Sequence, residues 1–361
     1  YQVLVAIMMI WFTITTLSAQ FPAVAWNRYD STIKTLLVIL FIPFVLNTKA
    51  RIEAVLWTIV LSAGYFCTMA GLKTLAGGGG YKSNLLLSMT SHLTESSTLS
   101  AVAVALLPLI AYLYKYSDIA VKHKYVRWAA LAYGVLSLLT VVGTHARTGL
   151  AALAVLCVMY AVFSRKPIRR TLVVLTIGLI GLSVVKDDWI DRMSTLRYVE
   201  NDTSAVGRLV VWRWTLDYVS QRPLGGGFEA YLANGPVLSE YQREHEATLR
   251  DTRSKAFHSI FFQLLGEHGY PGLCLFLLTV TIIYWRLLSQ FFSSNFPPWS
   301  RDLAKSMLMA LTTYYAGALF IGIAYLPIHW TLMACCASIA TAVAAGQAPG
   351  AQVLSGDRCP R

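Results

Sequence analysis

The chain of 361 residues is 56% hydrophobic and only 13% charged, which is typical of proteins with many membrane-spanning helices and unlike water-soluble domains. A net charge of +12 could suggest nucleic-acid binding, but the basic residues cluster in short links between apolar segments, which argues against that class. Five of the six cysteines lie in apolar stretches without metal-ligand spacing, and we interpret them as small core residues.

Ten apolar runs are candidates to cross a bilayer as helices, for which about 20 residues suffice. They lie near residues 1–20, 33–47, 52–72, 99–116, 126–143, 148–163, 170–185, 259–288, 306–325 and 328–346. Because the run at the start already includes Tyr1, we expect one or two further spans before it. The predicted fold is an all-α polytopic membrane protein with about 10–12 transmembrane helices.

Lysine and arginine concentrate in alternate links, and the positive-inside rule places such links in the cytoplasm. The links at 21–32, 73–98, 144–147, 186–258 and 326–327 should then face the other side, which in a bacterium is the periplasm. We predict an N-terminal transmembrane bundle of about seven spans at 1–185, a large periplasmic loop with amphipathic helices at 186–258, C-terminal transmembrane helices (about three spans) at 259–346, and a cytoplasmic tail at 347–361.

The long predicted loop is the most polar part of the chain. It holds 11 of the 18 acidic residues and 10 of the 30 lysines and arginines. Long loops on a rigid scaffold often carry function, so we look for site residues there first. Asp187, Asp188 and Asp191 raise the possibility of a metal site, but no clear further ligand accompanies them, and we predict none.

Arg147 lies between two apolar runs in VVGTHARTGLAALAVL, residues 141–156. A guanidinium group binds phosphate oxygens through two parallel hydrogen bonds and never deprotonates, and a helix starting at Thr148 would add positive potential. We therefore predict that Arg147 binds a diphosphate; a snorkelling interfacial cation or a structural ion pair is the alternative. His145 is a possible secondary site residue, although a structural role is the simpler interpretation.

A second pattern is DTSAVGRLVVWRWTLDYVSQRPLGGGF, residues 202–228, which predicts an amphipathic helix ended by a proline and three glycines. Ser204 is the predicted N-cap. Arg213 and Asp217 are spaced i,i+4 and are expected to pair. We therefore predict that Arg208, in the first turn, is the functional cation, with a solvent-exposed structural residue as the alternative. Arg213 and Arg222 are possible secondary site residues.

The third pattern is HSIFFQLLGEHGYPGL, residues 258–273, where the long loop meets the next apolar run. His258 stands at the entrance of that helix, where it can reach water and substrate. With an ordinary pKa near ~6.5, histidine accepts a proton at neutral pH. A general base is one interpretation and a structural helix-start histidine is the other. Glu267 and His268, ahead of GYPG, predict a helix-end turn.

Together these motifs resemble the O-antigen ligase and polymerase family of bacterial inner-membrane proteins. The segment from His258 fits the family pattern of His, then Asn, Ser or Gln, nine residues, Gly, two residues, and Gly or Thr. THARTGLAALAV resembles the family's arginine segment, and SAVGRLVVW followed by RPLGGGF resembles its loop arginine and turn. The motifs cover roughly residues 140–285, and the nearest likeness is to ligase-type members. Ala151 stands where some members have leucine.

The resemblance implies an enzyme of lipopolysaccharide biosynthesis, a glycosyltransferase of the GT-C-like type with its active site at the periplasmic face. Its donor would be a glycan on undecaprenyl diphosphate and its acceptor a hydroxyl of the lipid A-core. The transfer would invert the anomeric carbon, with His258 as base and with Arg147 and Arg208 on the diphosphate. It would need no metal and no other cofactor. Membrane lipids are the other expected partners, and nucleic acid is not one.

Three alternatives remain open at the level of the sequence. An O-antigen polymerase uses a similar donor and extends another lipid-linked chain, and a protein O-oligosaccharyltransferase differs in its acceptor. A transporter of lipid-linked glycans is an alternative of another class. Transport would predict mid-span charges and broken helices in matching halves, and the sequence has no such symmetry.

Overall fold

The computed structural model describes residues 1–77, 92–163, 203–245 and 253–347, together with positions 168, 169, 172 and 176. These residues form helices and no strand, which confirms the all-α prediction. The helices are α1 (Gln2–Leu17), α2 (Pro22–Val45), α3 (Lys49–Leu75), α4 (Ser96–Tyr116), α5 (Asp118–Lys122), α6 (Lys124–Gly143), α7 (Arg147–Phe163), α8 (Thr203–Gln221), α9 (Gly235–His245), α10 (Ile260–Phe292), α11 (Pro298–Ala318) and α12 (Pro327–Gln347), with short 3-10 turns at His92–Thr94 and Ala230–Asn234.

Five of the described helices are long and apolar enough to cross a membrane: α3, α4, α6, α10 and α12. Two more, α1 and α7, are apolar but shorter, with 16 and 17 residues. The protein is therefore an all-α polytopic membrane protein, as predicted. Most of the predicted span at 170–185, all of 186–202 and the tail beyond residue 347 lie outside the described residues.

Two predicted boundaries are wrong. The stretch 21–32 was expected to be a loop, yet α2 runs through it from Pro22 and continues to Val45. Proline at the first helical position favours a helix start, and polar residues lower hydropathy without breaking a helix. At the other end of the chain, the span expected at 306–325 is displaced, because α11 already begins at Pro298 and ends at Ala318.

Helix α4 lies at the centre of the bundle. Most of its side chains are buried, and it packs against α3, α6, α7 and α11. Its apolar face is rich in alanine and serine, which lets neighbouring backbones approach closely, as is common where membrane helices meet. The same principle acts between α3 and α6, where a β-carbon at Gly71 would lie 2.5 Å from the carbonyl oxygen of Leu136.

Helix α10 is interrupted near its first third. Gly269 has φ 65° and ψ −167°, so the backbone leaves helical geometry there before the chain continues to Phe292. Pro271 has no N–H and cannot donate to the carbonyl of Glu267 one turn earlier. The predicted helix-end turn at Glu267 and His268 is therefore confirmed: one helix ends at this break, and a second continues from it to Phe292.

The loop that follows α8 satisfies the backbone of this break. Carbonyl groups left without an intrahelical partner are costly in an apolar environment unless other protein groups bond to them. Residues 223–228 dock against the break and supply those bonds. Gly227 N–H donates to the Glu267 carbonyl (2.8 Å), Gly226 N–H donates to the Gly266 carbonyl (3.0 Å), and Tyr270 N–H donates to the Pro223 carbonyl (3.0 Å). The docking fixes α8 relative to the start of α10.

Candidate active site

A cleft of about 480 Å³ opens between the start of α10 and helices α2 and α4. Five separate parts of the chain line it. Arg208 and His258 form one side together with Ala256, and the segment from Phe320 to Pro327 forms another. Residues of α2 and of the start of α4 complete it. The structure therefore brings two of the three predicted site residues, Arg208 and His258, to one space.

Arg208 and His258 are held together by the packing of α8 on the start of α10. The indole N–H of Trp212, one helical turn after Arg208, donates to the carbonyl of Phe257 at 2.8 Å. The Trp212 ring also stacks on Phe262, with centroids 4.9 Å apart. Trp212 therefore connects the helix that carries Arg208 to the backbone just before His258. We call Arg208 and His258 the cationic wall.

The surroundings of His258 keep its imidazole neutral. Burial lowers its pKa to about 4, and the nearby positive charges of Arg208 and Lys255 act in the same direction, while Glu95 opposes them. The Lys255 ammonium group lies against Gly207, next to Arg208 in the chain. His258 also has φ 48°, a left-handed conformation that is costly for a residue with a β-carbon and often marks functional positions. His258 is thus neutral at physiological pH and has a lone pair available, while the same surroundings make it a weak base.

Arg147 is the first residue of α7 and does not line the cleft. The start of α7 nevertheless packs on the first turns of α4, since a β-carbon at Gly149 would lie 2.7 Å from the β-carbon of Ser100. Ser97, one turn before Ser100, lines the cleft. The start of α7 is thus close to the part of α4 that lines the cleft, and Arg147 itself is not among the lining residues. His145 lies buried in the turn before α7, with φ 50°.

The predicted accessory cations lie elsewhere. Arg213 and Asp217 are both exposed on α8, and within the described part of the chain no ion pair joins them, so the expected i,i+4 pair is wrong. Arg222 is exposed and lies over the Tyr218 ring at 5.7 Å. The helix itself begins at Thr203, so Ser204 is not its N-cap. Neither Arg213 nor Arg222 lines the cleft.

Helix α2 supplies a polar stripe that the sequence analysis missed. Arg28, Ser31, Thr32 and Thr35 all line the cleft, and their spacing places them on one face of the helix. The side-chain hydroxyls of Ser31 and Thr32 both donate to the Arg28 carbonyl at 2.9 Å, and that of Thr35 donates to the Ser31 carbonyl at 3.0 Å. The i, i+3, i+4, i+7 pattern was visible in the sequence, but the boundary predicted at residue 32 divided it.

The start of α4 extends this polar surface. Glu95 caps the helix, accepting hydrogen bonds from the backbone N–H groups of Ser97 (3.1 Å) and Thr98 (2.6 Å). The Thr98 hydroxyl also donates to Glu95, at 2.7 Å. All three residues line the cleft. We call the hydroxyl groups of Ser31, Thr32, Thr35 and Thr98 the hydroxyl wall.

A buried network joins the two sides beneath the cleft. Tyr325, which lines the cleft, donates its hydroxyl to the carboxylate of Glu267 near the break in α10. Glu267 also accepts the backbone N–H of Glu229 at 3.1 Å. The Glu229 carboxylate lies 3.8 Å from Arg28, whose guanidinium is 5.7 Å from the centroid of the Tyr325 ring. Arg28 is therefore anchored by an acid and an aromatic ring.

No cluster of three histidine, cysteine or acidic side chains that could hold a metal ion occurs in the described ranges. Asp187, Asp188 and Asp191, which the sequence analysis considered and set aside as metal ligands, lie outside those ranges.

Comparison with known families gives two matches. Residues 132–277 match the family model described as O-antigen ligase. Over this region the chain is similar to the O-antigen ligase family, and Arg147, Arg208 and His258 all lie within the match. The match supports a membrane glycosyltransferase of the ligase or polymerase type. Residues 1–118 match a family of unknown function, DUF5935. No curated protein matches the chain.

The cleft lies at the junction of the two matched regions. The cationic wall belongs to the O-antigen ligase region, while α2 and the start of α4 belong to the region of unknown function. The segment from Phe320 to Pro327 lies beyond both. The O-antigen ligase region therefore does not form the cleft alone.

Proposed function

We propose that the protein is an O-antigen ligase that transfers a glycan from undecaprenyl diphosphate to a hydroxyl of the lipid A-core. The reaction takes place at the periplasmic face of the bacterial inner membrane, with inversion at the anomeric carbon. The observation that carries the proposal is the cationic wall: a neutral histidine and an arginine share one cleft in a protein that matches the O-antigen ligase family. The donor is already activated by its diphosphate, so no nucleotide is needed.

His258 acts in this proposal as the general base. The acceptor oxygen forms a bond to the anomeric carbon as the bond from that carbon to the diphosphate oxygen breaks. The acceptor proton passes to the neutral imidazole, and the electron pair of the broken bond leaves with the diphosphate. A pKa of about 4 makes free His258 a weak base. An anion bound beside Arg208 offsets the positive charges that lower this pKa and thus strengthens the base in the substrate complex.

The two arginines stabilise the leaving group. Arg208 faces the cleft beside His258, where it can bind a diphosphate and meet the charge that grows on it as it leaves. Arg147 would add a second guanidinium at the N-terminus of α7, an end at which backbone N–H groups favour anions. We propose that this pair takes the part that a metal ion has in many soluble transferases, so transfer continues in EDTA.

The proposal is tested with purified protein, undecaprenyl diphosphate-linked oligosaccharide and lipopolysaccharide that lacks O-antigen. His258→Ala should lower the rate at least 100-fold, because a positioned base contributes about 10²–10⁴-fold. The variant should still bind sugar-free undecaprenyl diphosphate. His123→Ala is the matched control, since His123 is exposed between α5 and α6. Wild-type turnover by His258→Ala would rule out His258 as the general base. Loss of activity in EDTA would rule out a metal-independent reaction. Elongation of lipid-linked glycan without transfer to lipopolysaccharide would indicate a polymerase.

A further inference from the structure

The cationic wall accounts for one part of the cleft lining, and another part has different chemistry. Ser31, Thr32 and Thr35 face the same space from α2, and Thr98 faces it from α4. All four residues belong to the region that matches a family of unknown function. The arrangement raises the question of which part of a substrate such a surface would bind.

The hydrogen bonds of the hydroxyl wall answer this question. A hydroxyl group has one hydrogen to donate and two lone pairs that accept. On α2, each hydroxyl already donates its hydrogen to a carbonyl of the preceding turn, at 2.9–3.0 Å. On α4, the Thr98 hydroxyl donates to Glu95 at 2.7 Å. The side chains therefore present acceptor oxygens to the cleft, and the Glu95 carboxylate adds further acceptors.

A surface of acceptor oxygens discriminates between chemical groups. The ionised oxygens of a diphosphate only accept hydrogen bonds, so they gain nothing from such a surface and are repelled by its carboxylate. Sugar hydroxyls donate hydrogen bonds and match it. Arg28 does not reverse this preference, because Glu229 lies 3.8 Å from its guanidinium and offsets its charge. The two sides of the cleft thus fit the two chemical parts of a lipid-linked sugar.

The dimensions agree with a carbohydrate. Ser31 and Thr35 are four residues apart, so the stripe extends about 6 Å along the axis of α2, roughly the width of one sugar ring. The cleft of about 480 Å³ lies within the range of pockets that bind small molecules, which is about 300–1,000 Å³. The wall can therefore contact several hydroxyl groups of one ring at the same time.

We propose that the hydroxyl wall binds sugar hydroxyl groups, and that the region of unknown function thereby forms the carbohydrate side of the active-site cleft. The inference rests on the proposed function, since it takes the cationic wall as the diphosphate side. The sugar belongs either to the donor, next to its diphosphate, or to the acceptor. Both present the same hydroxyl chemistry, and kinetics with each substrate varied in turn distinguish them.

The test uses Thr32→Val combined with Thr35→Val, which keeps the side-chain shape and removes two acceptor oxygens. We expect the KM for undecaprenyl diphosphate-linked oligosaccharide, for lipopolysaccharide without O-antigen, or for both, to rise about five- to tenfold. The substrate whose KM rises is the one that the wall contacts. Binding of sugar-free undecaprenyl diphosphate should stay within twofold of wild type, whereas Arg208→Ala should weaken it.

Two further variants keep the test independent of folding. Thr58→Val is the matched control, because Thr58 lies on an exposed face of α3 and its hydroxyl also donates to a carbonyl one turn earlier, at 2.9 Å. Ser31→Ala removes an exposed hydroxyl, which should not unfold the protein, and we expect a KM rise of about two- to threefold. Thermal unfolding in detergent identifies any variant that loses its structure.

The outcomes separate this inference from the proposed function. Unchanged KM values for both substrates in the double variant, or equal losses of binding for sugar-free and sugar-linked lipid, would overturn the role of the hydroxyl wall. Absence of transfer by wild-type protein would overturn the proposed function instead. In that event, direct binding of the sugar-linked lipid and of lipopolysaccharide, with sugar-free undecaprenyl diphosphate for comparison, still decides whether the wall binds sugar.

Discussion

The two walls of the cleft are positioned in different ways. Most of the hydroxyl wall follows from helix periodicity, because regular turns of α2 place Ser31, Thr32 and Thr35 on one face, and only Thr98 is added from α4. The cationic wall depends on tertiary structure: Arg208 and His258 come together only because residues 223–228 dock into the break of α10 and because Trp212 bonds to Phe257. The comparison teaches that the positions of Arg208 and His258 depend on a locally irregular backbone, whereas those of the α2 hydroxyl groups do not.

The largest effect is expected from Gly269→Ala, which disturbs the backbone break that helps to position the cationic wall. Gly269 has φ 65°, and a β-carbon there would collide with the Pro223 carbonyl. The backbone strain costs about 1–3 kcal/mol, and a displacement of about 1 Å at the site can cost about 100-fold in rate. We expect the transfer rate to fall about 100-fold or more and the melting temperature to fall. Gly134→Ala, at an open position on α6, is the control.

The same variant also tests whether the walls are independent. If only the cationic wall is disturbed, binding of sugar-free undecaprenyl diphosphate should weaken more than binding of lipopolysaccharide. An equal loss of affinity for both ligands, with an unchanged melting temperature, would show that the hydroxyl wall also depends on the break in α10.

A smaller effect is expected from Arg208→Lys, which keeps the charge of the cationic wall and removes its planar pair of donors. Lysine does not reproduce bidentate binding of phosphate, so we expect affinity for sugar-free undecaprenyl diphosphate to fall about tenfold. Arg213→Lys on the exposed face of the same helix should have no effect. Wild-type affinity in Arg208→Lys would mean that the arginine acts only as a point charge or has a structural role.

The two walls differ in how many of their residues could be predicted from the sequence. His258 and Arg208 were predicted because each lies in a short motif next to a strong composition boundary. Arg28 and Thr32 were missed because a hydropathy scan treats polar residues at a helix start as a loop, and Thr35 was missed because the boundary predicted at residue 32 separated it from them. The structure shows a helix that is continuous through them. Polar residues that face a cleft lower hydropathy just as loop residues do, so hydropathy alone cannot separate the two.

The all-helical class of the fold was predictable from the sequence, whereas the local geometry and contacts of the helices were less so. Helical class and many apolar runs follow from composition and length. The break at Gly269 was expected as a helix end, since GYPG carries both a glycine and a proline signal. The docking of residues 223–228 on this break is a long-range contact that a local motif does not reveal. The expected pair of Arg213 and Asp217 failed for a related reason, because spacing permits a surface ion pair but contributes little energy to hold it.

The pH dependence of transfer tests the environment of His258 in the cationic wall without changing the wild-type protein. His258 must be neutral to accept a proton, and burial, followed by the charge of Arg208, lowers its pKa to about 4. We therefore expect kcat/KM to be flat from pH 5.5 to 8 and to fall as pH drops through about 4, where the imidazole becomes protonated. Arg208→Gln removes a charge that lowers the pKa, so its acid limb should lie at higher pH. An acid limb near 6.5 in the wild type would contradict this environment for His258.

The smallest effect is expected from Tyr325→Phe, which tests whether the network beneath the cleft couples the two walls. The substitution removes the hydroxyl that donates to Glu267 and keeps the ring that Arg28 contacts. Glu267 retains the N–H of Glu229, so we expect a loss of about 1–2 kcal/mol in stability and a fall in rate below fivefold.

Kinetics of Tyr325→Phe then decide what the network does. Tyr325 lies at the cleft and Glu267 lies beside the break in α10, so a coupling role predicts that the KM values for donor and acceptor rise together. A purely local role predicts a change in melting temperature with both KM values unchanged. Tyr125→Phe, at an exposed position on α6, is the control for loss of a tyrosine hydroxyl. If the KM values rise together, the irregular backbone that holds the cationic wall also sets the position of the sugar.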